Sequence, residues 1–411
     1  MSLVVQKYGG TSVGSVDRIH NVAARAVAAQ AAGNEVVLIV SAMAGETNRL
    51  LDLARRVTEL PDRRELDVIA ATGEQVSSAL VALAIQSQGG KARSFLGHQL
   101  KIRTDSAFTS ARILAIDAEA LRQSLKHGSI AVVAGFQGVD DAGNITTLGR
   151  GGSDTSAVAV AAAIRADVCE IYTDVDGVYT ADPNVCPGAR KIERISYEEM
   201  LELAALGAKV LQRRSVEVAM KYGVPIHVRS SFSDAPGTWV VGEEAGLESV
   251  VVTGVTSDKS EARVMLVAVE DRPGVVATIF GALAAENISV DMIIQNASSD
   301  AAGRTDVTFT AAKSELDRVE KVVQAVAERV GAREVRFERD IAKVSIVGLG
   351  MRSHAGVAAR MFDILFREGI NIQAIATSEI KVSCIVAAKY AELAVRALHD
   401  GFGLDRPTTT G

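Results

Sequence analysis

Gly149-Arg150-Gly151-Gly152-Ser153-Asp154-Thr155 lies between a polar turn, Asp140-Asp141-Ala142-Gly143-Asn144, and an Ala/Val run from Ala157 to Ile164. The run reads as a buried helix, so the glycines fall at a helix N-terminus. Backbone N–H groups there are unpaired and carry partial positive charge, which suits an anion. Glycine lets the backbone approach a ligand closely. Arg150 adds a two-pronged fork for a carboxylate or phosphate. Asp154 puts a negative charge in the same loop, which in a phosphate site implies a metal ion or a positioned amine. Taken alone, the spacing is equally that of a glycine turn capped by Ser153 or Asp154.

Two further stretches shift that balance. At the start of the chain, Leu3-Val4-Val5-Gln6-Lys7-Tyr8-Gly9-Gly10-Thr11-Ser12 is an apolar strand running into two glycines. A helix follows from Val16 to Ala32, with a Gly33-Asn34 stop. Lys7, at the strand end, can reach phosphates held over the glycines. The lysine precedes the glycines, so this is not a Walker A loop. Later, Ile171-Tyr172-Thr173-Asp174-Val175-Asp176-Gly177-Val178-Tyr179-Thr180-Ala181-Asp182-Pro183 is a strand leaving into an acidic turn. Its carboxylates suit Mg²⁺, ribose or adenine amino groups, although an acidic turn by itself is ordinarily a solvated loop.

Between these stretches the chain alternates. Strands are expected at 3–8, 35–41, 92–96, 130–135, 168–173 and 225–229. Helices are expected at 14–32, 47–59, 65–88, 117–126, 153–165, 196–205 and 208–222. This rhythm predicts an α/β domain, three-layered, with a mostly parallel sheet covered on both faces. Loops at the carboxyl ends of the strands are where such sheets hold ligands. Ser230 to Gly246 is polar and punctuated by Gly and Pro, and reads as a domain junction.

Composition narrows the function. The 411 residues suffice for two or three domains, and the net charge of −6 gives no support for nucleic-acid binding. The three cysteines, Cys169, Cys186 and Cys384, form no Cys-x-x-Cys pair and read as reduced thiols of a cytoplasmic protein. The six histidines show no zinc-ligand spacing. No apolar stretch of about 18 residues runs free of charge or glycine, so no membrane span is expected.

In combination, Lys-Tyr-Gly-Gly-Thr-Ser, Gly-Arg-Gly-Gly-Ser-Asp-Thr and Thr-Asp-Val-Asp-Gly-Val-Tyr-Thr-Ala-Asp-Pro resemble the signatures of the aspartate kinases, members of the amino-acid kinase family. The resemblance spans nearly the whole chain. It implies transfer of the ATP γ-phosphate to the side-chain carboxylate of L-aspartate, giving 4-phospho-L-aspartate, with Mg²⁺ as cofactor. A carboxylate nucleophile is already ionised at neutral pH and needs no general base. Catalysis is then positioning and charge neutralisation.

By the resemblance Lys7 neutralises the transferring group, and Gly9 and Gly10 supply backbone donors beside Tyr8. Asp154 orients Lys7 or Mg²⁺. Arg150 pairs with the aspartate α-carboxylate within the Gly151-Gly152-Ser153 loop, and Glu74 accepts the substrate ammonium. Ser41 and Thr47 flank a turn that contacts substrate. Thr173, Asp174, Tyr179, Asp182 and Lys209 line the nucleotide site. On the residues alone, Glu74 is a helix charge favoured by the dipole, and Lys209 is an ordinary surface lysine. Two departures from the family pattern are small: Tyr8 replaces a phenylalanine, and Asp176 stands where proline is common.

The C-terminal part repeats itself at an offset of 82 residues: Gly274-Val275 aligns with Gly356-Val357, Phe280 with Phe362, Leu283 with Leu365, Glu286 with Glu368 and Ile288 with Ile370. The first copy closes with a strand at Glu334 to Glu338. The second lacks a closing strand, and the unused apolar run Ser249 to Val255 is expected to complete it. The expected organisation is therefore a kinase domain at 1–245, a first α+β module at 264–340, and a second built from 246–263 and 341–411. These copies resemble ACT domains, βαββαβ modules that bind small effectors.

The resemblance implies feedback by lysine, threonine or both. Expected contacts are Asp271, Pro273, Gly274, Val275, Gln295 and Asn296 in the first copy. In the second they are Ser353, His354, Ala355, Gly356, Val357, Thr377, Ser378 and Glu379. The expected assembly is a homo-oligomer through these modules, or an α2β2 form whose β chain equals the C-terminal part; residue 250 is Val, not Met. Val344 to Ser353 resembles a dinucleotide fingerprint, but Ser353 stands at the third glycine position and the next strand, near Ile370, lacks the acidic residue that should hold a ribose. Two competing readings are a kinase of glutamate or a related carboxylate, and an amino-acid sensor with a vestigial kinase domain.

Overall fold

The computed structural model describes residues 2–206, 210–243, 251–295, 303–352, 354 and 356–406. The chain divides into two units: one of Met1–Tyr179 and Lys191–Leu247, the other of Thr180–Arg190 and Glu248–Gly411.

The first unit begins with β1 (Leu3–Tyr8), α1 (Val16–Ala31), β2 (Glu35–Val40), α2 (Glu46–Val57) and the long α3 (Arg63–Ser87). Next come β3 (Ala92–Phe95), β4 (Arg103–Thr104), β5 (Ile113–Ala115), α4 (Glu119–Lys126), β6 (Ile130–Ala134), β7 (Gln137–Val139) and β8 (Ile145–Thr147). Then follow α5 (Gly152–Ile164), β9 (Val168–Thr173), β10 (Arg194–Ser196), α6 (Tyr197–Ala205), α7 (Arg213–Tyr222), β11 (Ile226–Ser230) and β12 (Thr238–Val241).

An eight-stranded sheet runs β10-β12-β11-β9-β1-β2-β6-β3. Its pairings are parallel except β11 with β12. The central strands are continuous apolar runs, as burial on both faces demands: every residue of β6, and Val36 to Val40 of β2, is fully buried. α1, capped by the Ser15 hydroxyl on Arg18 N–H, and α3 pack on one face around Ile19, Val22, Val81 and Ile85. A second sheet, β5-β4-β7-β8, is built from short pieces. α3 is the one helix among those described that is long and apolar enough to cross a membrane, and more than half of its apolar window is buried inside the protein.

The fold class is the one the alternation predicts, with differences in detail. The stretch 230–246, read as a junction, contains β12, which inserts between β10 and β11. Its apolar part is only Trp239-Val240-Val241, too short to register as a strand beside Pro236 and Gly237. α7 begins at Arg213, after residues 207–209, so Lys209 lies outside the described residues.

The second unit holds β13 (Gly254–Asp258), β14 (Glu261–Glu270), α8 (Val275–Ala285), β15 (Val290–Gln295), β16 (Arg304–Ala312), α9 (Leu316–Ala327) and β17 (Glu334–Glu338). It continues with β18 (Ile341–Val347), α10 (Val357–Arg367), β19 (Ala374–Thr377), β20 (Lys381–Ala387) and α11 (Ala391–Gly401). One sheet runs β15-β16-β14-β17 and the other β13-β18-β20-β19. The first is made entirely from the chain between β13 and β18, which are themselves antiparallel neighbours with Asp258 opposite Lys343. The buried Lys343 pairs with Glu261 of the first sheet at 2.7 Å and with Asp291. Such a buried cation is tolerable only because both carboxylates compensate it.

Candidate active site

β1 sits mid-sheet, and strand alternation sorts its residues between the two faces. Gln6 and Tyr8 fall on one side. There Tyr8 is fully buried, stacked on Tyr172 with centroids 4.6 Å apart. Its hydroxyl bonds Gln6, and burial drives its pKa well above the ordinary value. The Tyr8 side chain, grouped from sequence with the nucleotide residues, is therefore turned away from the Lys7 face. Lys7 points to the other face, where its ammonium lies 2.6 Å from Asp154 Oδ1, both side chains about nine-tenths buried. Asp154 is in the first turn of α5, where a carboxylate is favoured by the helix dipole.

After β1 the chain turns sharply. Gly9 N–H continues the ladder to Tyr172 O at a long 3.3 Å, while Gly10 N–H has no acceptor among the described residues. Only glycine fits at position 10, because a Cβ would stand 2.8 Å from Ala42 O. Gly10 O in turn accepts from Ala44 N–H at 3.1 Å. The turn 41–45 is thus clasped by the glycine loop, with Ser41 half-buried and Thr47 in the first turn of α2.

The same turn meets α3. Glu74 lies in the middle of that helix, so the dipole reading does not apply. It is 3 % exposed, and its Oε1 accepts from Ala42 N–H at 3.0 Å. Its Oε2 is buried with no hydrogen-bond partner among the described residues. Burial pushes the carboxyl up to about 7, against the opposing pull of the Ala42 hydrogen bond. Gly73 allows this approach, since a Cβ there would lie 2.7 Å from the Ala42 methyl.

The glycine loop before α5 is held from behind. Gly149 and Gly151 have φ of +79° and +67°, conformations that other residues adopt only with strain. A Cβ on Gly151 would also overlap Gln212. Two residues that sequence reading missed hold the approach to this loop. Asp67, 1 % exposed, accepts from Thr109 N–H, Thr147 N–H and the Thr147 hydroxyl at 2.6–3.0 Å. Arg214 donates to Leu148 O at 2.6 Å and Ala111 O at 2.9 Å. With its base fixed, the loop presents Arg150, which is exposed and makes no ion pair or hydrogen bond with the described residues. Ser153 is buried, and Gly135 after β6 lies against it.

At the end of β9, the Thr173 hydroxyl bonds the exposed Asp174, and Tyr179 donates to Asp176 at 2.7 Å. Lys191 pairs with the same Asp176 at 3.3 Å. Burial, then Asp176, raises Tyr179 to about 12. Asp182 falls in 180–190, the segment counted with the second unit, where its carboxylate bonds Asn184 N–H at 2.9 Å.

In the second unit the two repeat glycines are conformational twins. Gly274 has φ 94°, ψ −10° and Gly356 φ 94°, ψ −5°, each preceding a helix without a side-chain cap. Val275 and Val357 behind them are buried. Asp271 N–H donates to Gly303 O, and Pro273 completes the first turn. In the second copy His354 Nδ1 lies 2.7 Å from Gly350 O. Gln295 and Thr377 end the edge strands β15 and β19, and Ser378 N–H donates to Lys381 O before Glu379. Asn296, Ser353 and Ala355 lie outside the described residues.

The amino acid kinase family model matches residues 2–230, and ACT domain models match 263–328 and 344–402. The chain is 54% identical to the aspartate kinase of Pseudomonas putida, each covered completely. Among solved structures, it resembles Escherichia coli aspartokinase III in complex with aspartate and ADP, with a TM-score of 0.81 and 26% identity, covering 97% of this chain and 99% of that one. The same enzyme in complex with lysine and aspartate, in its T-state, gives a TM-score of 0.76 at 26% identity, covering 98% and 99%.

Proposed function

The chain belongs to the aspartate kinase family, and from that membership we propose that it uses ATP to phosphorylate the side-chain carboxylate of L-aspartate, giving 4-phospho-L-aspartate under feedback by lysine, threonine or both. The observation that carries the substrate assignment is Glu74 Oε2, a buried carboxylate oxygen without a partner among the described residues. A buried acceptor left unpaired costs about 1–3 kcal/mol, and an α-ammonium group is its natural complement. Arg150, exposed and without a carboxylate partner among the described residues, takes the α-carboxylate. These two anchors fix the amino-acid backbone, so the length of the side chain decides which carboxylate reaches Lys7.

Lys7 neutralises charge on the transferring phosphoryl group, and Asp154 holds its ammonium in place. Gly10 N–H adds a backbone donor. No residue is asked to remove a proton, because the attacking carboxylate is already ionised. Mg²⁺ commonly binds through one or two carboxylates together with substrate phosphates. Asp154 and Asp174 are the carboxylates available to it, and the ion would offset phosphate charge. Thr173, Asp174 and Tyr179 line the nucleotide. Effectors bind at the Gly274 and Gly356 turns and bias the kinase between two states for which they differ in affinity. Copies assemble through the two C-terminal modules.

The test is MgATP-dependent acyl-phosphate formation trapped with hydroxylamine, using L-aspartate and then L-glutamate, with lysine and threonine added singly and together. Aspartate-dependent hydroxamate that falls with an effector is expected. Equal turnover of glutamate refutes the substrate assignment, and turnover insensitive to both effectors refutes the regulatory one.

A further inference from the structure

Away from the kinase site, one side-chain cluster has a donor set without an assigned use. Cys186, His399 and Asp400 each offer one ligand atom, and these lie within 4.8 Å of one another. Cys186 belongs to the segment 180–190, and His399 and Asp400 to the last turn of α11; all three are in the second unit.

His399 is fully buried, yet only one side of its ring is satisfied. Nε2 lies 2.9 Å from the Thr180 hydroxyl, whereas Nδ1 has no hydrogen-bond partner among the described residues and stands 3.8 Å from Asp400 Oδ1. A purely structural core histidine pairs both nitrogens. Here the Thr180 contact orients the ring and leaves the other nitrogen aimed into the cluster, as the outer partner of a ligating imidazole does.

Cys186 supplies the second donor. It opens the sequence Cys186-Pro187-Gly188-Ala189, a turn in which Ala189 N–H donates to the Cys186 carbonyl at 2.9 Å. The side chain is buried, and its sulfur lies within 4.8 Å of the ligand atoms of His399 and Asp400. Thiolate is the form that binds metal.

We propose that Cys186, His399 and Asp400 form a binding site for a thiophilic divalent cation, zinc above all, with water completing a tetrahedral shell. One sulfur, one imidazole nitrogen and one carboxylate oxygen are donors zinc accepts. Binding replaces the thiol proton: the sulfur–hydrogen bond breaks, a sulfur–metal bond forms, and one proton leaves to solvent. Bond lengths of about 2.0–2.3 Å draw donors closer than 4.8 Å. Asp400, whose side chain is 76% exposed, is free to swing inward. The ion staples 180–190 onto α11. Because 180–190 continues directly from Tyr179, the staple also restrains the chain leaving the Asp174–Tyr179 turn.

The experiment uses the untagged full chain, stripped with a chelator and titrated with Co²⁺. One equivalent should give the intense visible bands of a tetrahedral ion and a thiolate-to-cobalt charge-transfer band, both removed by one equivalent of Zn²⁺. The charge-transfer band should vanish in Cys186→Ser. Asp400→Asn, altered at an exposed position, should retain the fold by circular dichroism and bind roughly tenfold more weakly. Zn²⁺ should raise the melting temperature of the native chain but not that of Cys186→Ser. Absence of the charge-transfer band in the native chain overturns the proposal. So does an undiminished band in Cys186→Ser, or unchanged affinity in folded Asp400→Asn.

Discussion

Replacing Glu74 by glutamine should weaken the enzyme and strengthen the fold, both to a degree set by pH. The Glu74 carboxyl is moved by burial from an ordinary 4.5 to about 7. Since one pKa unit is about 1.4 kcal/mol, the ionised form is disfavoured inside the folded chain by about 3 kcal/mol. The folded chain holds this proton more tightly than the unfolded chain, so stability falls as pH rises from 4.5 towards 7. Glutamine fills the same volume and never ionises. At pH 8 the variant should therefore melt roughly 6 °C higher than the native chain, and near pH 4 the two should coincide.

Activity should move the other way. Loss of a charge-assisted hydrogen bond to the substrate ammonium costs about 1.5–3 kcal/mol, or roughly 10- to 150-fold in kcat/KM. That penalty is fully expressed at pH 8, where Glu74 is ionised. At pH 6 only about a tenth of the native enzyme has the charge before substrate binds, so the gap should narrow about tenfold. Calorimetry and a coupled ADP-release assay read the two halves. A penalty equal at pH 6 and 8, or a melting temperature that falls at pH 8, refutes the argument.

Lys7→Ala should lower kcat at least about a thousandfold while calorimetric binding of lysine or threonine is unchanged; retained turnover would remove its assigned role. Arg150→Lys keeps the charge but loses the two-pronged geometry, and should raise the aspartate KM about tenfold with little change in that for ATP. Asp67→Asn places an amide opposite backbone donors at Thr109 or Thr147. It should cost about 2–3 kcal/mol in chemical denaturation and reduce kcat/KM for aspartate; a variant of native stability would show that the clamp carries no strain.

Much of this was legible because it is local. A strand running into Gly9-Gly10, or glycines before an alanine-rich helix, states its geometry within a dozen residues. Lys7 and Asp154 could be named separately because each belongs to such a motif. Their 2.6 Å pairing depends on β1 lying beside the start of α5, which sequence implies only through the fold. Asp67 was illegible for the opposite reason: its partners Thr109 and Thr147 are 42 and 80 residues away. Nothing near Asp67 in sequence distinguishes it from a surface charge on a helix. The Tyr8 side chain parts from Lys7 because adjacency along a strand means opposite faces across it. β12 escaped notice because its stability comes from β10 and β11 rather than from its own composition.

The pairing of β13 with β18 has a consequence for synthesis and engineering. Asp258 and Lys343 face each other across that ladder, so the chain leaves the second sheet and returns to it at adjoining points. Everything between them can fold first and, in folding, close its own loop. The entropy of bringing β13 to β18 is then met by a finished module rather than by a floppy tether. On the ribosome β13 emerges early and must wait for β18, with β14 to β17 assembling in the interval. A tight two-residue turn joining Asp258 to Lys343 should excise that module and leave an ordinary hairpin in its place.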